Sequence, residues 1–251
     1  MKNFAFILIF LVTIIKSQNC ESKHYEYEAI YNFISISDTL KKNSLEQKMA
    51  LYLNQNESLF QNIYKKSIDS LSQIKIDNNN SSLYIDLNKI NIPKSTVSIN
   101  KIYDENKIIF TDKIGKVNIG YIDNYDELNW HITNEMKKIL GYNVRKATLK
   151  FRGRFYTAWF TEEIPFQDGP YKFSKLPGLI LEIYDSKDYF HYSLISFRII
   201  NNDVCYKQKF EPIDRLTYYD KKMNYHNSLI NNSIQGANIK EIKAYNPIEL
   251  K

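Results

Sequence analysis

The chain has 251 residues, 43% of them hydrophobic, with 34 Lys and Arg against 28 Asp and Glu and a formal net charge of +6. That is enough material for one large domain, or two small ones, with a buried core. The basic residues are spread among acids instead of clustering with aromatics on one element, which argues against a nucleic-acid surface.

The N-terminus reads as a secretory signal over residues 1–17, with Lys2 as the charged end, an apolar run over 4–15 and a polar exit at Lys16, Ser17, Gln18 and Asn19. The run is too short to span a bilayer, which takes roughly 20 residues, and no later segment approaches that length. The expectation is an exported chain, periplasmic, outer-membrane-associated or secreted, without a transmembrane helix in its mature form. Residues 18–251 then form a single β-rich domain. Export places the two cysteines, Cys20 and Cys205, in an oxidising compartment. Three states stay open for them: a Cys20–Cys205 disulfide, lipidation of Cys20 behind a poor lipobox, and two free thiols.

A strand is expected over 25–37, where Tyr25, Tyr27, Ala29, Tyr31 and Phe33 alternate, and another over 48–53, with Met49, Leu51 and Leu53 on one face. Over 54–73 the residues Leu59, Ile63, Tyr64, Ile68 and Leu71 recur at helical spacing without clear caps. A polar tract at 78–82 reads as a loop. Short apolar runs follow at 83–90, 97–104, 107–112, 116–122, 129–133, 144–151, 154–161, 179–184 and 189–200. Turn signals such as Asp104-Glu105-Asn106, Gly141, Gly153 and Asp185-Ser186-Lys187-Asp188 separate them. Strands at hairpin spacing predict a mainly β fold with an antiparallel sheet, not βαβ units. The tyrosine-rich stretch 214–232 has room for a helix, so one or two minor helices complete the expectation.

Three of the six prolines (Pro165, Pro170, Pro177) and two of the seven glycines (Gly169, Gly178) fall within 159–185. Proline fixes φ and glycine permits φ > 0, so this density marks a rigid, specially shaped connection. Lys175-Leu176-Pro177-Gly178-Leu179-Ile180 is the centre of a longer pattern. The pattern takes in Trp130, Ile139-Leu140-Gly141-Tyr142, Ala147, Gly153-Arg154, Ala158-Trp159, Ile164-Pro165 and Gly169-Pro170, and faintly Asn246-Pro247-Ile248-Glu249-Leu250. In this order the pattern resembles the GLPGLI family of exported envelope proteins, which has no established activity. Lys175 stands where that family has its first glycine, and Val144 where many members have a cysteine. The resemblance implies a strand followed by a connection over 54–73. It also implies a single curved antiparallel sheet or half-barrel like the periplasmic lipoprotein-carrier folds.

The loop residues Pro165, Phe166, Pro170, Phe173, Leu176, Pro177, Gly178, Leu179 and Ile180 are candidates for a ligand rim. They serve equally as a hydrophobic plug closing the sheet, and both readings stay open. Glu162, Glu163, Asp168, Glu182 and Asp185 crowd the same stretch. Arg152 and Arg154 are expected to form a structural ion pair with Glu162 or Glu163. His24, His131, His191 and His226 sit in no motif, and there is no HExxH, GxSxG, CxxC or Gly-rich phosphate loop. No catalytic residue, metal ligand or cofactor is therefore assigned. Most of the 20 tyrosines and 14 phenylalanines belong to sheet and core, with a minority free to line a carbohydrate or peptide groove. The functional expectation is a non-enzymatic exported binder of an apolar or peptide ligand or an envelope partner. The alternatives are a structural or assembly protein acting through protein contacts and, third, a hydrolase using the loop carboxylates.

Overall fold

Period-two alternation carries through to the structure, a computed structural model that describes residues 21–38, 43–65, 95–206, 209–234 and 246–250. The expected signal segment, Cys20, the tract at 78–82 and the run at 83–90 lie outside the described residues. The strands are β1 (Glu21–Asp38), β2 (Asn43–Leu53), β3 (Glu57–Asn62), β4 (Ser98–Ile102), β5 (Lys107–Ile114) and β6 (Val117–Asp123). They continue with β7 (His131–Ile139), β8 (Tyr142–Phe151), β9 (Arg154–Thr161), β10 (Leu179–Asp185), β11 (Phe190–Tyr206) and the short β12 (Glu211–Pro212). All join one curved, open sheet in the order β12-β6-β5-β4-β3-β2-β1-β11-β10-β9-β8-β7. Two antiparallel meanders, β1 to β6 and β7 to β11, thus meet where β1 pairs with β11.

The register stacks apolar residues across the sheet. Ala29 faces Leu51, Leu51 faces Phe60, Phe60 faces Ile99, Ile99 faces Phe110 and Phe110 faces Tyr121. Every member of this row is buried and belongs to one core cluster with Val144, Ala147, Tyr156, Ala158, Phe173 and Leu179. A side-chain period of two fixes this pairing, because a one-residue slip would turn the row to solvent.

Tight hairpins set the second meander. Leu140-Gly141 (φ 50° and 88°) joins β7 to β8, and Arg152-Gly153 (φ 43° and 77°) joins β8 to β9. Consecutive left-handed residues match the twist of the strands they connect. The helix α1 (Arg215–Ile234) starts where Asp214 Oδ1 accepts the Thr217 amide at 2.9 Å, a side-chain N-cap. Its Tyr218 hydroxyl (2.8 Å) and Lys222 ammonium (2.6 Å) both reach the buried Asp112 of β5, so a tyrosine-rich helix is tied to the sheet. Among the described residues no helix is long and apolar enough to cross a membrane.

The helical spacing over 54–73 is overridden where the structure describes it. Asn54 Oδ1 accepts the amides of Asn56 and Glu57, each at 2.9 Å, and this turn sends β3 back along β2. Ladders to β2 and β4 on both sides satisfy the β3 backbone, which outweighs the local periodicity. Cys205 lies on β11 opposite Ser22 and is not free. Its expected partner Cys20 is outside the described residues, and we keep the Cys20–Cys205 bond as a proposal.

Candidate functional site

The Pro-Gly connection, residues 162–178, links β9 to β10 and turns inward. Phe173, Leu176, Leu179 and Ile180 are wholly buried. Phe173 packs against the rings of Tyr156 (4.6 Å), Phe151 (5.7 Å) and Tyr171 (5.9 Å). Tyr31 donates to the Ile180 carbonyl at 2.7 Å and Trp130 Nε1 to the Ser174 carbonyl at 2.8 Å, so the backbone is held from two sides. At the junction with β10, Gly178 has φ 148°, and a Cβ there would lie 1.9 Å from the Thr161 carbonyl oxygen. This part of the loop fills the core beneath it.

An ion pair fixes the middle of the loop. Asp168 and Lys101 of β4 are both fully buried and in contact. Asp168 also accepts from the Tyr103 hydroxyl (2.8 Å) and the Gly169 amide (2.6 Å), while Lys101 donates to the Gly169 carbonyl (2.7 Å). Burial pulls the Lys101 pKa below its ordinary value, against the opposing pull of Asp168.

The outer side of the same loop faces a cleft of about 670 Å³. Ile164, Pro165, Phe166, Gln167 and Lys175 supply one wall. Tyr27 of β1, Phe197 of β11, Gln55 of the β2–β3 turn, and Tyr103, Tyr125 and Tyr142 supply the rest. Tyr27 stacks on Phe197 (centroids 5.6 Å apart, planes 7° apart), and Phe166 meets Tyr27 edge-on at 5.1 Å. Asn54 is consumed by its turn, whereas the side-chain amides of Gln55 and Gln167 make no hydrogen bond among the described residues. Aromatic faces beside free amides suit a ligand with both C–H surfaces and hydroxyl groups, which is the chemistry of a sugar. Of the expected rim residues, Pro165 and Phe166 reach this cleft, while Phe173, Leu176, Leu179 and Ile180 are core.

The expected pairing of Arg152 and Arg154 with Glu162 or Glu163 does not form. The arginines flank the turn that opens β9, and the acids follow its other end, an eight-residue strand away, roughly 25 Å at about 3.3 Å per residue. Arg152 instead meets Asp123 (2.7 Å), Glu127 (3.0 Å) and Glu249 (2.5 Å), and buried Lys172 meets Asp123 (2.9 Å) and Glu249 (2.7 Å). Burial alone would raise the Glu249 pKa, but Lys172 and Arg152 hold it below the usual carboxylate range. Arg154 binds Asp185 (3.1 Å) and the Asn246 side chain (2.6 Å), which pins residues 246–250 to the sheet. Glu162 pairs with Arg145 at 3.6 Å, and Glu163 accepts the Asn143 amide at 2.8 Å. Separate partners therefore divide the acids that the sequence crowds together.

Glu182 sits on the β10–β11 hairpin with Lys137 (2.5 Å) and His191 (3.1 Å), and His191 also contacts Asp188 at 3.1 Å. The Glu182 hydrogen bond, with Asp188 nearby, raises the His191 pKa above 6.5 despite partial burial. The folded chain then holds this proton more tightly than the unfolded chain. The stability it lends is full below pH 6.5 and is lost as pH climbs through the folded midpoint. An NMR titration of the His191 ring should give a midpoint above 6.5, and Glu182→Gln should move it back toward that value.

Sequence reasoning did not single out Tyr27, Gln55, Tyr103, Tyr125, Tyr142, Gln167 or Phe197 for the cleft. Gln167 sits in the Pro-Gly loop and Tyr142 in the longer pattern, but the others come from segments far apart in the chain that only the sheet order brings together, with nothing local to mark them.

Comparison with known proteins supplies a family. A family model described as "N-glycanase peptide, N-terminal domain" matches residues 53–220. Two solved structures of PNGF-II are similar in fold. The one in the C2 space group has a TM-score of 0.56 and 18% identity over 80% of this chain and 33% of that one. The one in the P21 space group has a TM-score of 0.57 and 19% identity over 80% of this chain and 34% of that one. This chain thus spans about a third of the length of those structures. No curated protein matches it.

The family match overturns the GLPGLI expectation. Residues 175–180 tie a loop into a sheet through a glycine under a carbonyl and three buried aliphatic side chains, a local solution that does not define a family. The expectations of unknown family function and of a non-enzymatic binder, with its assembly alternative, fall with it, because the matching family is named for an enzyme.

Proposed function

We infer that this chain, which belongs to the N-glycanase peptide, N-terminal domain family, serves an N-glycanase reaction by holding the glycan of an N-glycosylated peptide in the cleft. The observation that carries this reading is the cleft of about 670 Å³, walled by Tyr27, Tyr103, Tyr125, Tyr142, Phe166 and Phe197, with the free amides of Gln55 and Gln167 at its rim. Sugar rings offer C–H faces to aromatic side chains and hydroxyls to amides. The buried half of loop 162–178 supports the reading from below. A wall fixed by core packing and the Lys101–Asp168 pair does not have to be ordered when ligand arrives, which lowers the entropic cost of binding. Export, expected from residues 1–17, would bring such a cleft to glycoproteins outside the cytoplasm.

Calorimetric titration of the chain with an N-glycosylated peptide and with the same peptide stripped of its glycan tests this. The glycosylated form is expected to bind and to raise the melting temperature, since a ligand of the folded state stabilises it. Phe166→Ala should weaken binding about tenfold while leaving the circular-dichroism spectrum intact. Equal binding of both peptides, or of neither, would contradict the reading.

A further inference from the structure

Within the cleft, Lys175 has no ion-pair partner among the described residues, and its ammonium lies 4.6 Å from the centroid of the Tyr125 ring. Its backbone is left-handed (φ 70°), a conformation that disfavours a lysine. The position is nevertheless fixed on both sides, by the Lys175 amide on the Gln167 carbonyl (3.0 Å) and by Trp130 Nε1 on the Ser174 carbonyl (2.8 Å). Two residues of the same wall carry orphaned hydroxyls. Tyr125 is 5% exposed and Ser174 2% exposed, both line the cleft, and neither Tyr125 Oη nor Ser174 Oγ has a hydrogen-bond partner. A buried hydroxyl without a partner costs free energy, and on a wall that also carries a cation an anionic acceptor would satisfy both.

We propose that Lys175, Tyr125 and Ser174 form a subsite for an acidic sugar carrying a single negative charge, a carboxylate or a sulfate ester, on the glycan held in the cleft. The proposal rests on the reading of the cleft as a glycan site. The other charged group lining it, Glu163, is turned to Asn143, whose amide (2.8 Å) and side-chain nitrogen (3.1 Å) it accepts. The nearby Asp168 is neutralised by Lys101. Glu163 keeps its charge but is directed at Asn143, which leaves Lys175 as the one cation among the described residues lining the cleft, and a single cation fits a single negative charge better than the two of a phosphate monoester.

The test is calorimetric titration of the full chain with one N-glycosylated peptide carrying a neutral, a sialylated or a sulfated glycan. At low salt an acidic glycan is expected to bind about fivefold tighter than the neutral one, with the advantage shrinking as salt is added. Whichever acid shows the gain identifies the group. Lys175→Gln should abolish the advantage without disturbing the fold, because glutamine carries a similar backbone cost at this φ. Tyr125→Phe should reduce it while leaving the melting temperature unchanged or higher, since the hydroxyl has no partner to lose. Equal affinity for all three glycans, or an advantage that survives Lys175→Gln, overturns the subsite and leaves the glycan reading standing. Failure of every glycopeptide to bind overturns both.

Discussion

Asp168→Asn should lower folding stability by about 3–5 kcal/mol, because it leaves the Lys101 ammonium buried without its counter-charge. The loss should exceed what the hydrogen bonds from Tyr103 and Gly169 account for, since an asparagine oxygen can still accept from them. Its pH dependence has a defined sign. The unfolded chain holds the Lys101 proton at the ordinary value of 10.5, whereas burial lowers the folded value, so the variant should regain stability as pH rises toward 10.5. Pairing the change with Lys101→Met should return most of the loss, because a buried ion pair replaced on both sides leaves no uncompensated charge. Denaturant unfolding of the two single variants and the double variant provides the check. A double variant as unstable as Asp168→Asn alone would show that the pair does not act as a unit.

Gly178→Ala should cost about 3 kcal/mol or more, through two effects that add. Its φ of 148° is open to glycine and strained for any side chain, and the new Cβ would meet the Thr161 carbonyl at 1.9 Å. That carbonyl belongs to the end of β9, whose Thr161 pairs with Leu179. Relief would have to come from parting β9 from β10 at the point where the loop enters the sheet. Pro177→Ala, at an exposed position beside it, should cost far less. Thermal melts of the two variants should therefore differ widely, and a similar loss for both would mean that the strain is not localised at Gly178.

These two residues show how much of the fold could be read in advance. Gly178 and the prolines around it mark a rigid connection because their backbone chemistry is local, and the structure places a tightly packed loop there. The strands are legible for the same reason, since alternation such as Met49, Leu51 and Leu53 records which face is buried. Asp168 is different. Its partner Lys101 lies on the opposite meander, and a lone lysine on a strand gives no sign that it will be buried. The same limit explains the arginines: Arg152 and Arg154 find Asp123, Asp185 and Glu249, partners supplied by sheet order and the docked tail. Only Pro165 and Phe166 of the cleft could be named beforehand, because they share the conspicuous loop. The GLPGLI resemblance rested on scattered positions from Trp130 to Ile180, whereas the matching family covers residues 53–220 and so takes in most of the first meander as well.

Hydrogen exchange of the chain with and without an N-glycosylated peptide most directly tests whether the cleft holds the glycan. Protection is expected at the amides of Gln55, Tyr103, Tyr125, Glu163, Ile164, Phe166, Gln167, Ser174 and Lys175, which enclose the cleft. It should vanish when the glycan is removed from the peptide. Protection confined to the β10–β11 hairpin around His191, or unchanged by loss of the glycan, would contradict the account.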